Sequence, residues 1–159
     1  MNLARYALTL ANNGTLYDLT LLDHSTDYQG NIQEEYSSEA IETADINPAT
    51  LRTVRSAMNG VVNEGGSCAA IFADAPVDSA GKTGTAEQSA VRGPHANFIG
   101  FAPYDDPEIS YAIVIPFGYT SGHSAEIASE LLDYYYGDIT LDDILSGGAL
   151  SLSGVTVRD

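Results

Sequence analysis

Lys82, Thr83, Gly84 and Thr85 are consecutive, and Lys82 is the only lysine in the chain. Six basic residues stand against twenty-two acidic ones over 159 residues, a net charge of −16. A lone ammonium in so negative a field, followed by two hydroxyls and a glycine, offers the donors that an anionic, peptide-like ligand needs along a strand edge. Lysine supplies positive potential, the threonine hydroxyls can donate to a carboxylate, and Gly84 lets a ligand backbone lie close. The backbone N–H just beyond it can point at a developing oxyanion, so acyl transfer is a chemistry that these four residues serve.

Two other readings of the cluster fail. Gly81-Lys82-Thr83 matches the end of a phosphate loop, but the first glycine of that pattern falls on Pro76, and Gly84 and Thr85 follow where a helix should open. Asp74 and Asp78 would also repel phosphate. Ser79-Ala80-Gly81-Lys82 spells S-x-x-K, a nucleophile with its base. That pair works on a helix, where i and i+3 share a face. Gly81 and Thr83 to Thr85 favour a strand instead, which sends the two side chains to opposite faces.

The rest of the composition narrows the function. Nucleic acid and anionic membranes want clustered Lys and Arg, which this chain lacks. Cys68 is alone, so no intrachain disulfide forms. No run of about 18 apolar residues is present, and no charged-then-apolar leader opens the chain, so no anchor or signal is expected within it. No two histidines have metal-ligand spacing, and neither a metal nor a cofactor is implied.

The positioning elements follow from periodicity. Leu3, Tyr6, Ala7, Leu10 and Ala11 repeat at helical spacing, with Gly14 ending the helix. Thr15 to His24 reads as a strand, 27–31 as a turn and Ile32 to Tyr36 as a return strand, giving a hairpin; 37–46 is polar and irregular. Asn47 and Pro48 open a second helix with Leu51, Val54, Met58, Val61 and Val62 on its apolar face, stopped by Gly65-Gly66. Three strands follow: Ser79 to Glu87, His95 to Ala102 and Ile109 to Pro116. The last is apolar on both faces and therefore expected at the centre. Ser121 or Ser124 caps a final helix with a stripe of Ile127, Ala128, Leu131, Leu132 and Tyr135, ended by Gly137. Residues 138–159 carry no period and read as a tail. The order argues α+β, an antiparallel sheet with helices packed on its faces.

With these elements in place, Ala80-Gly81-Lys82-Thr83-Gly84-Thr85-Ala86-Glu87 resembles the K-T-G signature of penicillin-binding protein transpeptidase domains. Leu3 to Tyr17 resembles the helix and strand that follow the family's second motif. Val61 to Gly66 resembles the helix end before K-T-G, and 95–103 and 109–116 resemble the next two strands. The resemblance covers 1–137 and implies a serine β-lactamase-like fold, of which this would be the C-terminal portion. Asn97 departs from the family, which often carries tryptophan there. The family's other two signatures, S-x-x-K with the acylated serine and S-x-N, are absent apart from the Ser79 match.

The resemblance implies a parent, anchored in the cell membrane and facing outside, that cross-links peptidoglycan by acyl transfer from a D-Ala-D-Ala stem peptide and is acylated by β-lactams. Carried onto this chain, Lys82 sets the potential and helps orient the substrate carboxylate. Thr83 and Thr85 hydrogen-bond it, the Thr85 N–H completes the oxyanion hole, and Gly84 gives clearance. Without nucleophile and base, these residues alone are expected to be inert. Their partners would be the acylating half of the domain and, through exposed apolar surface, further copies of the chain. A non-catalytic sensor or binding module for wall peptides or β-lactams is the alternative, with a β-lactamase relative a third possibility. Gly65-Gly66 and the hairpin fit a transpeptidase better.

Other chemistry-bearing residues have plainer readings. His95 heads a strand beside the cluster and reads as a strand-end hydrogen-bonder, while His24 and His123 sit at element ends and are expected in solvent. Cys68 reads as a small buried hydrophobe. Glu34-Glu35, Asp105-Asp106 and Asp142-Asp143 read as solvated charges, and one or two rings of Tyr134-Tyr135-Tyr136 as core.

Overall fold

Two helical layers enclose a three-stranded antiparallel sheet in the computed structural model, which describes residues 1–63, 65–88, 91–137 and 139–147. Helix α1 (Asn2–Ala11) turns through Gly14, whose φ of 106° suits glycine and whose N–H reaches Thr9 O at 2.7 Å. Four short strands follow: β1 (Thr15–Tyr17), β2 (His24–Thr26), β3 (Ile32–Glu35) and β4 (Ala40–Thr43). Helix α2 spans Pro48–Val62, with Asn47 Oδ1 accepting from Ala49 N at 2.8 Å. Then come β5 (Ala80–Ala86), β6 (His95–Ala102), β7 (Ile109–Ile115), α3 (Ser121–Tyr136) and α4 (Leu141–Gly147).

The strand expected over 15–24 is two strands with different partners. β1 pairs with β4, inside the segment read as irregular, and β2 pairs with β3 to make the expected hairpin. Pairing with a later segment is a tertiary event that polar residues 37–46 do not announce. α2 ends at Val62, before Gly65 and Gly66, because Asn63 turns extended and donates its side-chain amide to Asn59 O and Ser79 O.

Strand order is β5-β6-β7, so β6 is the central strand rather than β7. Ala96, Phe98, Phe101 and Ala102 of β6 are fully buried, whereas Val114 of β7 is 52% exposed. Apolar residues on both faces of β7 mark contact with helices, not strands on both sides.

The register sorts the sheet's faces. Ala80, Phe101 and Ile99 face α1 and α2, packing with Leu10, Ala11, Leu51 and Met58. Phe98, Ala102 and Tyr111 face α3, packing with Ala125, Ala128, Leu132, Phe72 and Val62. α3 touches the sheet through Ser124, Ala125, Ala128, Ser129 and Leu132, while Ile127, Leu131 and Tyr135 of the expected stripe are exposed. Small side chains let the helix seat closely on a face already filled by Phe98 and Tyr111, so bulk misidentified the buried side. Its N-cap is Thr120, not Ser121 or Ser124, with Oγ1 accepting from Gly122 N; Ser124 is buried and donates to Ser121 O.

Arg55 ties the layers together. Its guanidinium donates to Ala11 O at 2.7 Å, Asn13 Oδ1 at 3.0 Å and Tyr104 O at 2.9 Å, and stacks over Phe101. Within the segment read as a tail, 141–147 form α4, and residues 148–159 lie outside the described part.

Candidate functional site

Strand β5 carries all four residues of the cluster and is paired on one side only, to β6. Its first two residues belong to the core: Ala80 is fully buried, and a Cβ at Gly81 would fall 2.2 Å from Phe98 Cζ. From Lys82 onward the strand is exposed or half-buried. A buried root thus holds an open edge, along which alternate backbone groups face away from the sheet.

The cross-strand pairs place the side chains. Lys82 opposite Ile99 lies on the α1–α2 face; Thr83 opposite Phe98 and Thr85 opposite Ala96 lie on the α3 face. The ammonium and the two hydroxyls therefore flank the strand from opposite sides and converge only on something lying along its edge. The Lys82 stem borders a 300 Å³ groove walled by Tyr6, Leu10, Val54, Met58, Val61 and Ile99. Its Nζ turns back to donate to Thr83 O at 2.8 Å, keeping the charge at the strand while the methylenes cover apolar surface.

Gly84 differs from the other sheet glycines. A Cβ at Gly81 or Gly100 would collide with neighbouring atoms at 2.2 and 2.7 Å, but at Gly84 it would meet only Asn97 Cβ at 3.6 Å. The fold has no steric need for glycine there. Asn97 itself sits half-buried in β6, on the Lys82 face.

The S-x-x-K pairing is refuted. Ser79 is 2% exposed and precedes β5, with its carbonyl held by Asn59 Nδ2 at 2.8 Å, and the strand sends Lys82 to the other face. Cys68 is buried, as expected of a small hydrophobe. His24 is exposed beside Asp23 and His123 is exposed with its ring Nδ1 at Gly118 O, both as expected of solvated element ends. Glu34, Glu35, Asp105, Asp106, Asp142 and Asp143 are exposed, and Tyr136 is the ring of its trio that packs, donating to Ala102 O at 3.1 Å. Among the described residues no three His, Cys, Asp or Glu side chains gather as a metal site.

At the far end of β5 the structure gathers Gln88, Arg92 and Phe117, which the sequence does not single out as site residues, around His95, the strand-end hydrogen-bonder expected there. His95, paired with Ala86, accepts from Phe117 N at its Nδ1 (3.2 Å), which leaves Nε2 to donate to Gln88 Oε1 at 3.0 Å. This tautomer is assigned from the bonding pattern. The Phe117 ring lies 5.0 Å from the His95 ring, and the Arg92 guanidinium stands over the Phe117 ring at 5.3 Å. Phe117 and Tyr119 hold φ of 55° and 62°, left-handed values that aromatic residues rarely adopt. The sequence signals for this cluster were the turn through Arg92-Gly93-Pro94 and His95 at the head of its strand; the contacts to Phe117 span more than 20 residues.

The penicillin binding protein transpeptidase domain family matches this chain over residues 1–133. Penicillin-binding protein 2A of Bacillus subtilis is 27% identical over 156 residues, covering 86% of this chain and 22% of that relative. The chain thus spans less than a quarter of the length of the curated relatives it matches. The solved D,D-transpeptidase domain of a peptidoglycan glycosyltransferase from Eggerthella lenta aligns with a TM-score of 0.66 at 30% identity, over 80% of this chain and 30% of that one. Penicillin-binding protein A of M. tuberculosis, solved as a ceftriaxone acyl-enzyme complex, aligns with a TM-score of 0.66 at 22% identity, over 82% of this chain and 30% of that one, a likeness of fold.

Proposed function

Because this chain belongs to the penicillin-binding protein transpeptidase domain family, we propose that it is the substrate-edge portion of a D,D-transpeptidase that cross-links peptidoglycan from D-Ala-D-Ala stem peptides and is acylated by β-lactams. The observation that carries this reading is the free edge of β5, with Lys82 on one face, Thr83 and Thr85 on the other, and a glycine at 84 that the fold does not require. A peptide added along that edge gains main-chain hydrogen bonds, and its terminal carboxylate meets the hydroxyls of Thr83 and Thr85 while Lys82 sets the local potential. The Thr85 N–H polarises the acyl carbonyl and carries the oxyanion in the tetrahedral intermediate. Gly84 keeps the strand clear of the substrate backbone.

The acylated serine and its base come from the part of the domain bearing S-x-x-K and S-x-N, which these 159 residues do not contain. The apolar groove beside Lys82 is a surface on which that part would seat. Residues 138–159 would lie beyond the transpeptidase unit as a tail. Membrane anchoring and an outward orientation belong to the parent; among the described residues no helix is long and apolar enough to cross a membrane.

Fluorescent penicillin tests the reading. The 159-residue chain is expected to give no covalent band on a denaturing gel. A parent carrying all three signatures is expected to label stoichiometrically, with Thr85→Val slowing acylation about tenfold or more, the effect of losing one hydrogen bond to a charged group. A stoichiometric band on this chain, or undiminished labelling of the Thr85→Val parent, would overturn it.

A further inference from the structure

The reading of β5 fixes a direction. With a terminal carboxylate at Thr83 and Thr85 and the acyl carbonyl at the Thr85 N–H, the preceding peptide residues run past Ala86 towards Gln88, at about 3.3 Å each. One or two residues upstream of the D-Ala pair, a bound peptide therefore reaches the end of the β5–β6 hairpin, where Gln88, Arg92, His95 and Phe117 gather.

Arg92 is placed there with unusual care for an exposed side chain. Twenty-two acidic residues are available in this sequence, yet among the described residues no carboxylate lies within ion-pair range of its guanidinium, which stacks on Phe117 instead. Gly93 and Pro94, which follow Arg92, are clamped. Tyr119 N donates to Pro94 O at 3.0 Å, and Gly93 lies so close to the Tyr119 ring that a Cβ would sit 2.8 Å from it. Phe117 is fixed by its own N–H on His95 Nδ1, at a left-handed φ. Strain of this kind persists where surrounding contacts over-determine it, and it concentrates at ligand sites. A guanidinium pre-positioned on a ring, with its fork unspent on carboxylates, is suited to bidentate capture of an incoming one.

We propose, on the footing of that reading of β5, that Arg92 is a specificity-determining residue of the peptide site, receiving a carboxylate on the side chain of the residue immediately upstream of D-Ala-D-Ala. The preferred donor is then an acidic stem peptide rather than one with an amine at that position. His95 and Gln88 act as positioning residues: they hold Phe117 and the end of β5 in the geometry that presents Arg92.

Amide NMR titrations of the 159-residue chain with N-acetylated L-Glu-D-Ala-D-Ala and L-Lys-D-Ala-D-Ala test this. Both peptides should shift the amides of Thr83, Gly84 and Thr85. Only the glutamyl peptide should also shift Gln88, Arg92 and Phe117, binding about two- to fivefold more tightly, the range of an exposed ion pair. Arg92→Gln should erase that preference and leave the shifts at 83–85, and Arg92→Lys should restore only part of it. Equal affinity of the two peptides for the unaltered chain, or a preference that survives in Arg92→Gln, would overturn the proposal while 83–85 still respond. Silence at 83–85 with both peptides would instead overturn the reading of β5 on which it rests.

Discussion

Two of the molecule's antiparallel hairpins, β2–β3 and β5–β6, differ in their support. β2–β3 has three register pairs with a slip between Ser25 and Thr26, and every residue of it except Ser25 is exposed. β5–β6 has seven uninterrupted pairs, and its β6 strand buries Ala96, Phe98, Phe101 and Ala102 completely. Backbone pairing is common to both, so it is not what separates them. An isolated two-stranded ribbon is marginal in water, and register is firmly set only where one face is buried. In β5–β6 both faces are, with α3 against one and α1 and α2 against the other. The edge that presents Lys82 to Thr85 is held by side chains on the strand behind it, which is why an open strand can remain a defined surface.

Removing that support should produce the largest effect. Phe98 is fully buried, stacks 5.6 Å from Phe72 and 6.2 Å from Tyr111, and fills the space left by Gly81. Phe98→Ala deletes a ring from the centre of the core and is expected to cost about 3–5 kcal/mol. Urea unfolding should show the loss, and amide protection along 80–86 should fall with it. A cost close to that of a surface substitution would mean that strand pairing, not packing, holds the functional edge.

The same contrast explains what the sequence could disclose. β5, β6, β7 and α2 were legible because their own residues carry the signal: β-branched and aromatic runs between turn formers, and Asn47-Pro48 before an apolar stripe. Residues 82–85 were legible as part of a strand, and β5 bears that out. β4 and its pairing with β1 were not, since so short a strand takes its identity from a partner more than 20 residues away. The buried face of α3 was misread for a related reason. Ala125 and Ala128 are selected by the space left over Phe98 and Tyr111, and that space belongs to the fold. Strand alternation already puts Lys82 and the threonines on opposite faces, but which helices cover each face, and the packing of Arg92 and His95 on Phe117, have no local sequence signature.

In β2–β3 the support is polar and local, so its perturbation should stay local. Asp27 accepts from Gln29 N at 2.8 Å and Asn31 N at 3.0 Å through one oxygen, and from Asn31 Nδ2 at 2.9 Å through the other. These bonds, the Asn31 side chain foremost, hold its carboxyl below the ordinary carboxylate range. A depressed folded pKa gives stabilisation that is present above the ordinary value and is lost as pH falls through the lowered one. Asp27→Ala should therefore reduce amide protection at Gln29 and Asn31 near neutral pH and remove the acid dependence of the turn, while the global unfolding midpoint stays in place. A shift of that midpoint comparable to the one from Phe98→Ala would show the hairpins to be one cooperative unit.

The smallest effect tests the α3 side of the sheet from the alkaline end. Tyr136 donates its hydroxyl to Ala102 O, the last residue of β6, at 3.1 Å. Burial first, and then the neighbouring Glu108 charge, push its phenol up to about 12. The folded value lies above the ordinary one of 10.0, so the protonated form is the one the fold favours. The contribution is complete below about 10, where the unfolded chain is also protonated, and it declines as pH rises through the folded value. Tyr136→Phe removes both the hydrogen bond and the titration. It should lower stability slightly at pH 8, and the gap from the unaltered chain should narrow between pH 10 and 12. Thermal melts across that range read the gap directly, and one that widened with pH would mean that ionised Tyr136 is the form held against β6.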